Sequence, residues 1–373
     1  MSFVPEGSRA AGAGRRAAPP RSALATIASV GSAFPPHHYD QETLLAGLRS
    51  LWAKRHYNLD RLESLHRNVL VGGRHLALPI DAYPALRGFG ASNDAWLAVA
   101  TQIGEVAVRR ALDAAGVGPG EVDAFLSVTI TGVAAPSIDA RLANRLGLPP
   151  RVKRVPIFGL GCVAGAAGIA RAADYLKAYP EHVAVLLSVE LCSLTLQRDD
   201  LSVPNLIASG LFGDGAAAVV LGGRTRALPG PRVLATRSVF YPETERVMGW
   251  DVTDDGFRIV LSADVPEVVR THLRRDVDAF LADHGLERSR IARWIAHPGG
   301  PKVLEAMAAA LEIEDRTLEP VWRSLREVGN LSSTSVLLVL EDILKNHAPV
   351  PGCYGVILAM GPGFCSELVL IRW

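Results

Sequence analysis

The stretch Val155-Pro156-Ile157-Phe158-Gly159-Leu160-Gly161-Cys162-Val163-Ala164-Gly165-Ala166-Ala167-Gly168-Ile169-Ala170 decides how this chain is read. Its first four residues are an apolar run, the pattern of a short buried strand. Glycines then turn the chain, and a run of small residues continues as a helix to Leu176. Cys162 sits at that turn. The unpaired N–H groups and the dipole of a helix N-terminus favour thiolate over thiol, so this cysteine has a physical reason to be reactive. The competing reading is a buried structural cysteine, the commoner fate of a free thiol.

The same alternation of strands and helices runs outward in both directions. Upstream, residues 24–32 (LATIASVGS) read as a first strand and 41–53 as a polar helix. Residues 94–115 form a long amphipathic helix stopped by Gly116, 122–130 a strand and 140–146 a short helix. Downstream, 183–190 is a strand, and the glycine turn at 213–215 feeds a second buried one. The second half repeats the scheme, with strands at 233–241, 291–296, 354–360 and 364–373 and helices at 263–282, 302–311 and 334–344. The segments GDGAAAVVLGG (213–223) and GPGFCSELVLIRW (361–373) look like one hairpin used at the end of each half. This rhythm predicts an α/β fold with mixed, covered sheets and a duplicated organisation. The expected parts are a tail over 1–22, an N-terminal half over 23–228 carrying Cys162, and a C-terminal half over 229–373.

Composition narrows the function classes. The chain has 373 residues, a formal net charge of +1 and 49% hydrophobic residues, enough for a sizeable core. Balanced charge gives no argument for nucleic acid or an acidic membrane as partner. The four cysteines, at 162, 192, 353 and 365, have no CxxC spacing, which argues against a zinc site or a disulfide framework. They fit a reducing, cytoplasmic compartment, and no apolar run reaches the length of a membrane span. Residues 7–21 carry no large apolar side chain and are expected to be a disordered tail. Their arginines, and the lack of acids after Glu6, also resemble a transit peptide. The plain tail is preferred, because the whole chain is rich in Ala, Arg and Gly. Residues 54–74 are basic, with Lys54, Arg55, His56, Arg61, His66, Arg67 and Arg74. They read as a solvated helical face or as a mouth that attracts phosphates.

Three turns each place one reactive residue at the end of a strand or the start of a helix: Cys162, His297 and Asn330. Singly, a turn histidine or an asparagine before a helix is ordinarily structural. Together they supply a nucleophile, a base and a hydrogen-bond donor, a set sufficient for acyl transfer. The segments that carry them are GLGCVAGAAGIARAADYL, LFGDGAAAVVL, WIAHPGGPKVLEAM, VGNLSSTSVLLVLEDIL and AMGPGFCSELVL, in this order. They resemble the type III polyketide synthases, the chalcone synthase superfamily within the thiolase fold. The resemblance runs from about Leu24 to Trp373. Among members, the surroundings of Cys162 and the segment ERVMGWDVTDDGFRIVLSADVP look most like bacterial alkylpyrone and alkylresorcinol synthases.

The resemblance implies a thiolase-like, five-layer αβαβα fold in duplicated halves, working as a homodimer without cofactors on coenzyme A thioesters. Cys162 would take the starter acyl group, paired as thiolate with a His297 imidazolium. His297 and Asn330 would hold the malonyl-CoA carbonyl while carbon dioxide leaves. Phe212 would stand between the coenzyme A tunnel and the cavity, against a plain packing role. Thr195, Gly299 and Gly300 join it on the substrate-binding surface. The chain also departs from the plant enzymes. Ile259 replaces a pocket phenylalanine, Cys192 a cavity threonine, and Ala135 a methionine that crosses the dimer interface. Of the phosphate-binding cations only Arg61 is retained, with Ser64 and Asn68 at the other places, which leaves room for an acyl-carrier-protein donor. These changes predict a roomier, greasier cavity, a medium- or long-chain fatty acyl-CoA starter with malonyl-CoA extenders, and alkylpyrone or alkylresorcinol products. The alternative is a ketoacyl-ACP synthase III, which makes a single condensation. A non-enzymatic scaffold would suit a chain without Cys162.

Overall fold

The computed structural model describes residues 23–52 and 58–373. The tail expected over 1–22, and Lys54, Arg55 and His56 of the basic stretch, lie outside the described residues. The strands are β1 (Ala25–Ala33), β2 (His37–Asp40), β3 (Gly73–Leu76), β4 (Ala124–Thr129), β5 (Lys153–Phe158), β6 (Val183–Leu191), β7 (Asp214–Gly223), β8 (Arg232–Phe240), β9 (Met248–Thr253), β10 (Gly256–Leu261), β11 (Ile291–Ala296), β12 (Tyr354–Gly361) and β13 (Cys365–Arg372). Nine of them form one sheet in the order β11-β12-β13-β8-β1-β7-β6-β4-β5.

The duplication is visible in the strand directions. β4 runs parallel to β6, which pairs antiparallel with β7, which pairs antiparallel with β1. In the second half β11 runs parallel to β12, which pairs antiparallel with β13, which pairs antiparallel with β8. One mixed four-strand motif is therefore used twice, β7 and β13 occupy equivalent places, and β5 extends the first copy. The copies join edge to edge through Ala25–Val233 and Thr26–Arg232. Helix Gly88–Ala115 packs on β1, β7 and β6 of the first copy, and helices Val265–Ala282 and Pro301–Leu311 pack together on the second. Between the copies lie helices Ala164–Ala178 and Ser335–Asn346, in contact with each other and with strands of both. Helix and sheet layers thus alternate five deep, the thiolase-like α/β arrangement. The first half of helix Ala164–Ala178 is buried all round, which is why residues 164–170 are Ala and Gly with the fully buried Ile169, while its second half exposes Arg171, Asp174 and Lys177.

Two expectations are corrected. The apolar run before Cys162 is β5, the outer strand of the sheet, and it is largely exposed, with Phe158 at 51%. Apolar composition reports that a surface is to be covered, without saying by which chain. The helix expected from residue 94 begins six residues earlier, at Gly88. Its first turn is held by tertiary packing, Phe89 meeting Phe257 edge-on at 5.2 Å between ring centroids.

Candidate active site

Cys162 follows β5 through Gly159 and Gly161, both at positive φ, and sits in the 3-10 turn Gly161–Val163 that opens helix Ala164–Ala178. Only glycine fits at 161: besides its φ of 55°, a Cβ there would lie 2.7 Å from the Pro362 ring. The Gly-Pro-Gly turn between β12 and β13 is thereby pressed against the cysteine turn. His297 leaves the end of β11 with its N–H on Leu358 O at 2.9 Å. Asn330 follows helix Glu319–Val328 through Gly329 and bridges to Phe212, its N–H donating to Leu211 O at 2.9 Å. The Asn330 carboxamide is oriented at both ends: Oδ1 accepts from Ser332 N–H at 2.8 Å, and Nδ2 donates to Gly299 O at 3.5 Å.

These three residues, all buried, line one cavity of about 50 Å³ together with Phe212, Ile259, Gly299 and Ser332. The Cys162 thiol donates to Ser332 Oγ at 3.7 Å, and neither ring nitrogen of His297 has a partner among the described residues. Burial pushes the thiol up to about 12, with Glu190 adding to it and the Ser332 contact opposing. Burial also pushes the His297 imidazole down to about 3. Burial thus opposes the charged form of each group, so the thiolate–imidazolium pair that the resemblance implies has the desolvation of two charges to overcome. A neutral imidazole lining the same cavity as the thiol can take its proton as the sulfur attacks an acyl thioester, and an oriented amide N–H in that cavity can meet a developing oxyanion.

A second cavity of about 350 Å³ lies behind Phe212, Trp250 and Ile259, which line both spaces. Ile259 and Trp250 are direct cross-strand partners in the β9–β10 hairpin, and the Trp250 ring is 6.4 Å from that of Phe212. Phe212 is thus part of a wall between two spaces. Cys192 and Thr195 line the second cavity, not the one containing Cys162. Gly300, at φ 131°, N-caps helix Pro301–Leu311 and lines neither. Arg61 is exposed on helix Leu59–Asn68 and also lies outside both cavities. Ala135 is exposed in the loop before Pro136 and lines neither cavity. Sequence reasoning missed Ser332, Trp250, Arg74 and Tyr83. The Asp254-Asp255-Gly256 turn was the available signal for the hairpin that carries Trp250.

Comparison with known proteins finds relatives over most of the chain. Residues 13–225 match the family described as chalcone and stilbene synthases, N-terminal domain, and residues 232–373 match the C-terminal domain of the same family. A 1,3,6,8-tetrahydroxynaphthalene synthase of Streptomyces peucetius subsp. caesius is 54% identical over 93% of both chains. A putative chalcone synthase of Bacillus subtilis is 37% identical over 94% of this chain and 99% of its own. The crystal structure of 1,3,6,8-tetrahydroxynaphthalene synthase from Streptomyces coelicolor superposes with a TM-score of 0.89 at 32% identity, over 93% of this chain and 99% of that one.

Proposed function

The chain belongs to the chalcone and stilbene synthase family, the type III polyketide synthases, and from that premise we propose that it primes and extends with malonyl-CoA alone to give a tetrahydroxynaphthalene. It is an acyltransferase that works on coenzyme A thioesters without a further cofactor. The observation that carries the malonyl reading is the 54% identity, over nearly the whole chain, with a synthase of that product. Five malonyl units, each losing one carbon dioxide, supply the ten carbons of a naphthalene. The two modest cavities suit such a chain, the larger lying near the lower end of ordinary ligand pockets at about 350 Å³.

In this reading the Cys162 thiol attacks the starter thioester, and His297 carries its proton to the departing coenzyme A sulfur. His297 and Asn330 Nδ2 then donate to the carbonyl oxygen of the next malonyl-CoA, where charge develops as carbon dioxide leaves. The resulting enolate attacks the Cys162 thioester. Phe212, Trp250 and Ile259 line the passage into the second cavity, where Cys192 and Thr195 face the growing chain. The enzyme is a two-fold dimer in this proposal, covering the exposed β5 edge and the loop 131–136. Its four free cysteines suit a reducing compartment such as the cytoplasm. Among the described residues no helix is long and apolar enough to cross a membrane.

A fatty acyl-CoA starter is the second reading, favoured by the apolar side of the Cys162 cavity, where Val265, Val269, Val303, Met307 and Met360 converge. Incubation with malonyl-CoA alone, and with malonyl-CoA plus octanoyl-CoA, separates the two by product mass. A ten-carbon aromatic from malonyl-CoA alone supports the first. An alkylpyrone or alkylresorcinol only when octanoyl-CoA is present supports the second, and a single β-ketoacyl thioester, from a coenzyme A or carrier-protein donor, sinks both.

A further inference from the structure

Arg74 stands in the wall of the second cavity and is 3% exposed. One of its terminal nitrogens donates to the Phe212 carbonyl at 2.8 Å, while its Nε–H has no partner among the described residues. Asp214 acts on it through space, but the Asp214 carboxylate is spent elsewhere. Asp214 Oδ2 accepts from Ala77 N–H at 2.6 Å and from the Ser193 hydroxyl, and Oδ1 accepts from Ser193 N–H at 2.8 Å. Several neighbouring polar groups are likewise committed, and the Asp81 carboxylate, which also lines the cavity, is exposed to solvent. The Tyr83 hydroxyl is bonded to Ser193 Oγ, Thr195 Oγ1 donates to Cys192 O, and Arg198 donates to the carbonyls of Tyr83, Pro84 and Leu86. The Cys192 thiol is kept neutral by burial. Arg74 is therefore a buried cation in the cavity wall whose charge is balanced through space by Asp214 but whose hydrogen-bonding capacity is not fully spent, so a second anion can still bond to it.

We propose that Arg74 selects a carboxylate-terminated starter by binding the free carboxylate at the far end of the growing chain, beyond the Phe212–Trp250–Ile259 wall. For malonyl this rests on the malonyl-primed reading above. On loading, the C–S bond to coenzyme A breaks and the C–S bond to Cys162 forms. The thiol proton passes to the coenzyme A sulfur, and the carboxylate of the starter is untouched. Each extender then loses carbon dioxide, and the electron pair left behind forms the new C–C bond as Cys162 departs and takes up a proton. The lengthened chain, now a coenzyme A thioester, returns to Cys162 as in loading, its C–S bond to coenzyme A breaking as the bond to Cys162 forms. The starter carboxylate thus moves two carbons further from Cys162 at every step, toward the second cavity. A guanidinium bonded to it also opposes its own decarboxylation, because loss of carbon dioxide removes the charge that the guanidinium stabilises.

The test compares glutaryl-CoA with pentanoyl-CoA as primers. They have the same chain length and differ in a terminal carboxylate against a methyl group. With malonyl-CoA as extender, the wild-type enzyme is expected to favour glutaryl-CoA in kcat/KM by about tenfold or more, the worth of a hydrogen bond to a charged group. In Arg74→Gln the ratio is expected to fall to about one, and in Arg74→Lys to an intermediate value. A ratio cancels any loss that both primers share through a disturbed Phe212 or Asn330. Equal use of the two primers by the wild type, or an unchanged ratio in Arg74→Gln, overturns the assignment. If Arg74→Gln does not fold, the wild-type ratio alone decides. A wild type that makes nothing from malonyl-CoA alone, yet prefers glutaryl-CoA, refutes the malonyl-primed reading and leaves Arg74 in place.

Discussion

Gly165→Ala puts the close approach of the two middle-layer helices to a direct test. A Cβ at 165 would lie 2.3 Å from the Ser333 carbonyl oxygen and 2.6 Å from Val336 Cγ1. The first contact is about 1 Å short of ordinary van der Waals distance, and backbone cannot yield as a side chain does. The helix that begins behind Cys162 must therefore separate from the turn Ser332–Thr334 by roughly that amount. That turn holds both the Ser332 hydroxyl on the Cys162 thiol and the Ser332 N–H on the Asn330 carboxamide. Overpacking of this kind costs about 1–3 kcal/mol of stability, so the variant is expected to fold with its melting temperature lowered by a few degrees. A 1 Å misplacement of reacting groups can cost roughly 10²-fold in rate, so product formation should fall by about that factor. Gly168→Ala is the graded comparison, because its Cβ would meet only the Leu186 side chain, which can move. Gly120→Ala, with nothing within 4 Å of its Cβ, is the control. Rates should rank Gly120→Ala, Gly168→Ala, Gly165→Ala from fastest to slowest, measured on purified protein whose melting is followed in parallel. A Gly165→Ala enzyme with wild-type turnover would refute the reasoning, since the site would then tolerate the displacement that its geometry forbids.

Four further outcomes are expected. A thiol raised by burial stays protonated through neutral pH and gains thiolate only as pH climbs, so iodoacetamide labelling of Cys162, scored against Cys162→Ser, should keep rising beyond pH 8.5, roughly the midpoint of a free thiol. A lower midpoint shows that His297 already holds the thiol proton in the resting enzyme. Cys162→Ala should abolish condensation yet release carbon dioxide from malonyl-CoA, whereas Asn330→Ala should accept an acyl group but decarboxylate some 10²–10³-fold more slowly; normal decarboxylation in Asn330→Ala removes its assigned role. Light scattering should give twice the chain mass, and a monomer at working concentration leaves the β5 edge without its proposed cover. Ile259→Trp, in the wall shared by both cavities, should shorten the products made while short-chain acylation of Cys162 continues; an unchanged product spectrum takes Ile259 out of the passage.

Much of the fold was legible because it is local. Strand and helix alternate with their own periods along each half, and the repeated Gly-Asp-Gly and Gly-Pro-Gly strands expose the duplication without any contact being known. The three reactive residues were legible for a related reason: Cys162, His297 and Asn330 each stand alone at a turn, where a reactive side chain is conspicuous. Their electrostatics were not, because a helix terminus can be read from sequence whereas the burial that opposes it comes from distant elements. Ser332 bonds the Cys162 thiol across 170 positions in the chain. Cys192 and Thr195 line the second cavity and not the one that holds Cys162, a division not legible in sequence because the wall needs Trp250 and Ile259 to meet across a hairpin that carries only a short turn signal.

Arg74 makes the limit clearest. It was read with Arg61 as one basic stretch, and nothing in composition distinguishes them. Helix Leu59–Asn68 leaves Arg61 in solvent, while β3, only four residues long and without a measurable period, carries Arg74 inward against Phe212 O. Charge in a sequence has sign but no depth. Yet depth decides what the two cations can do, because the same guanidinium that is screened to near irrelevance at the surface is, when buried beside a cavity, strong enough to choose a ligand. In the proposed reading, starter choice therefore depends on positions whose residue types looked ordinary, and the fold alone gives them their chemistry.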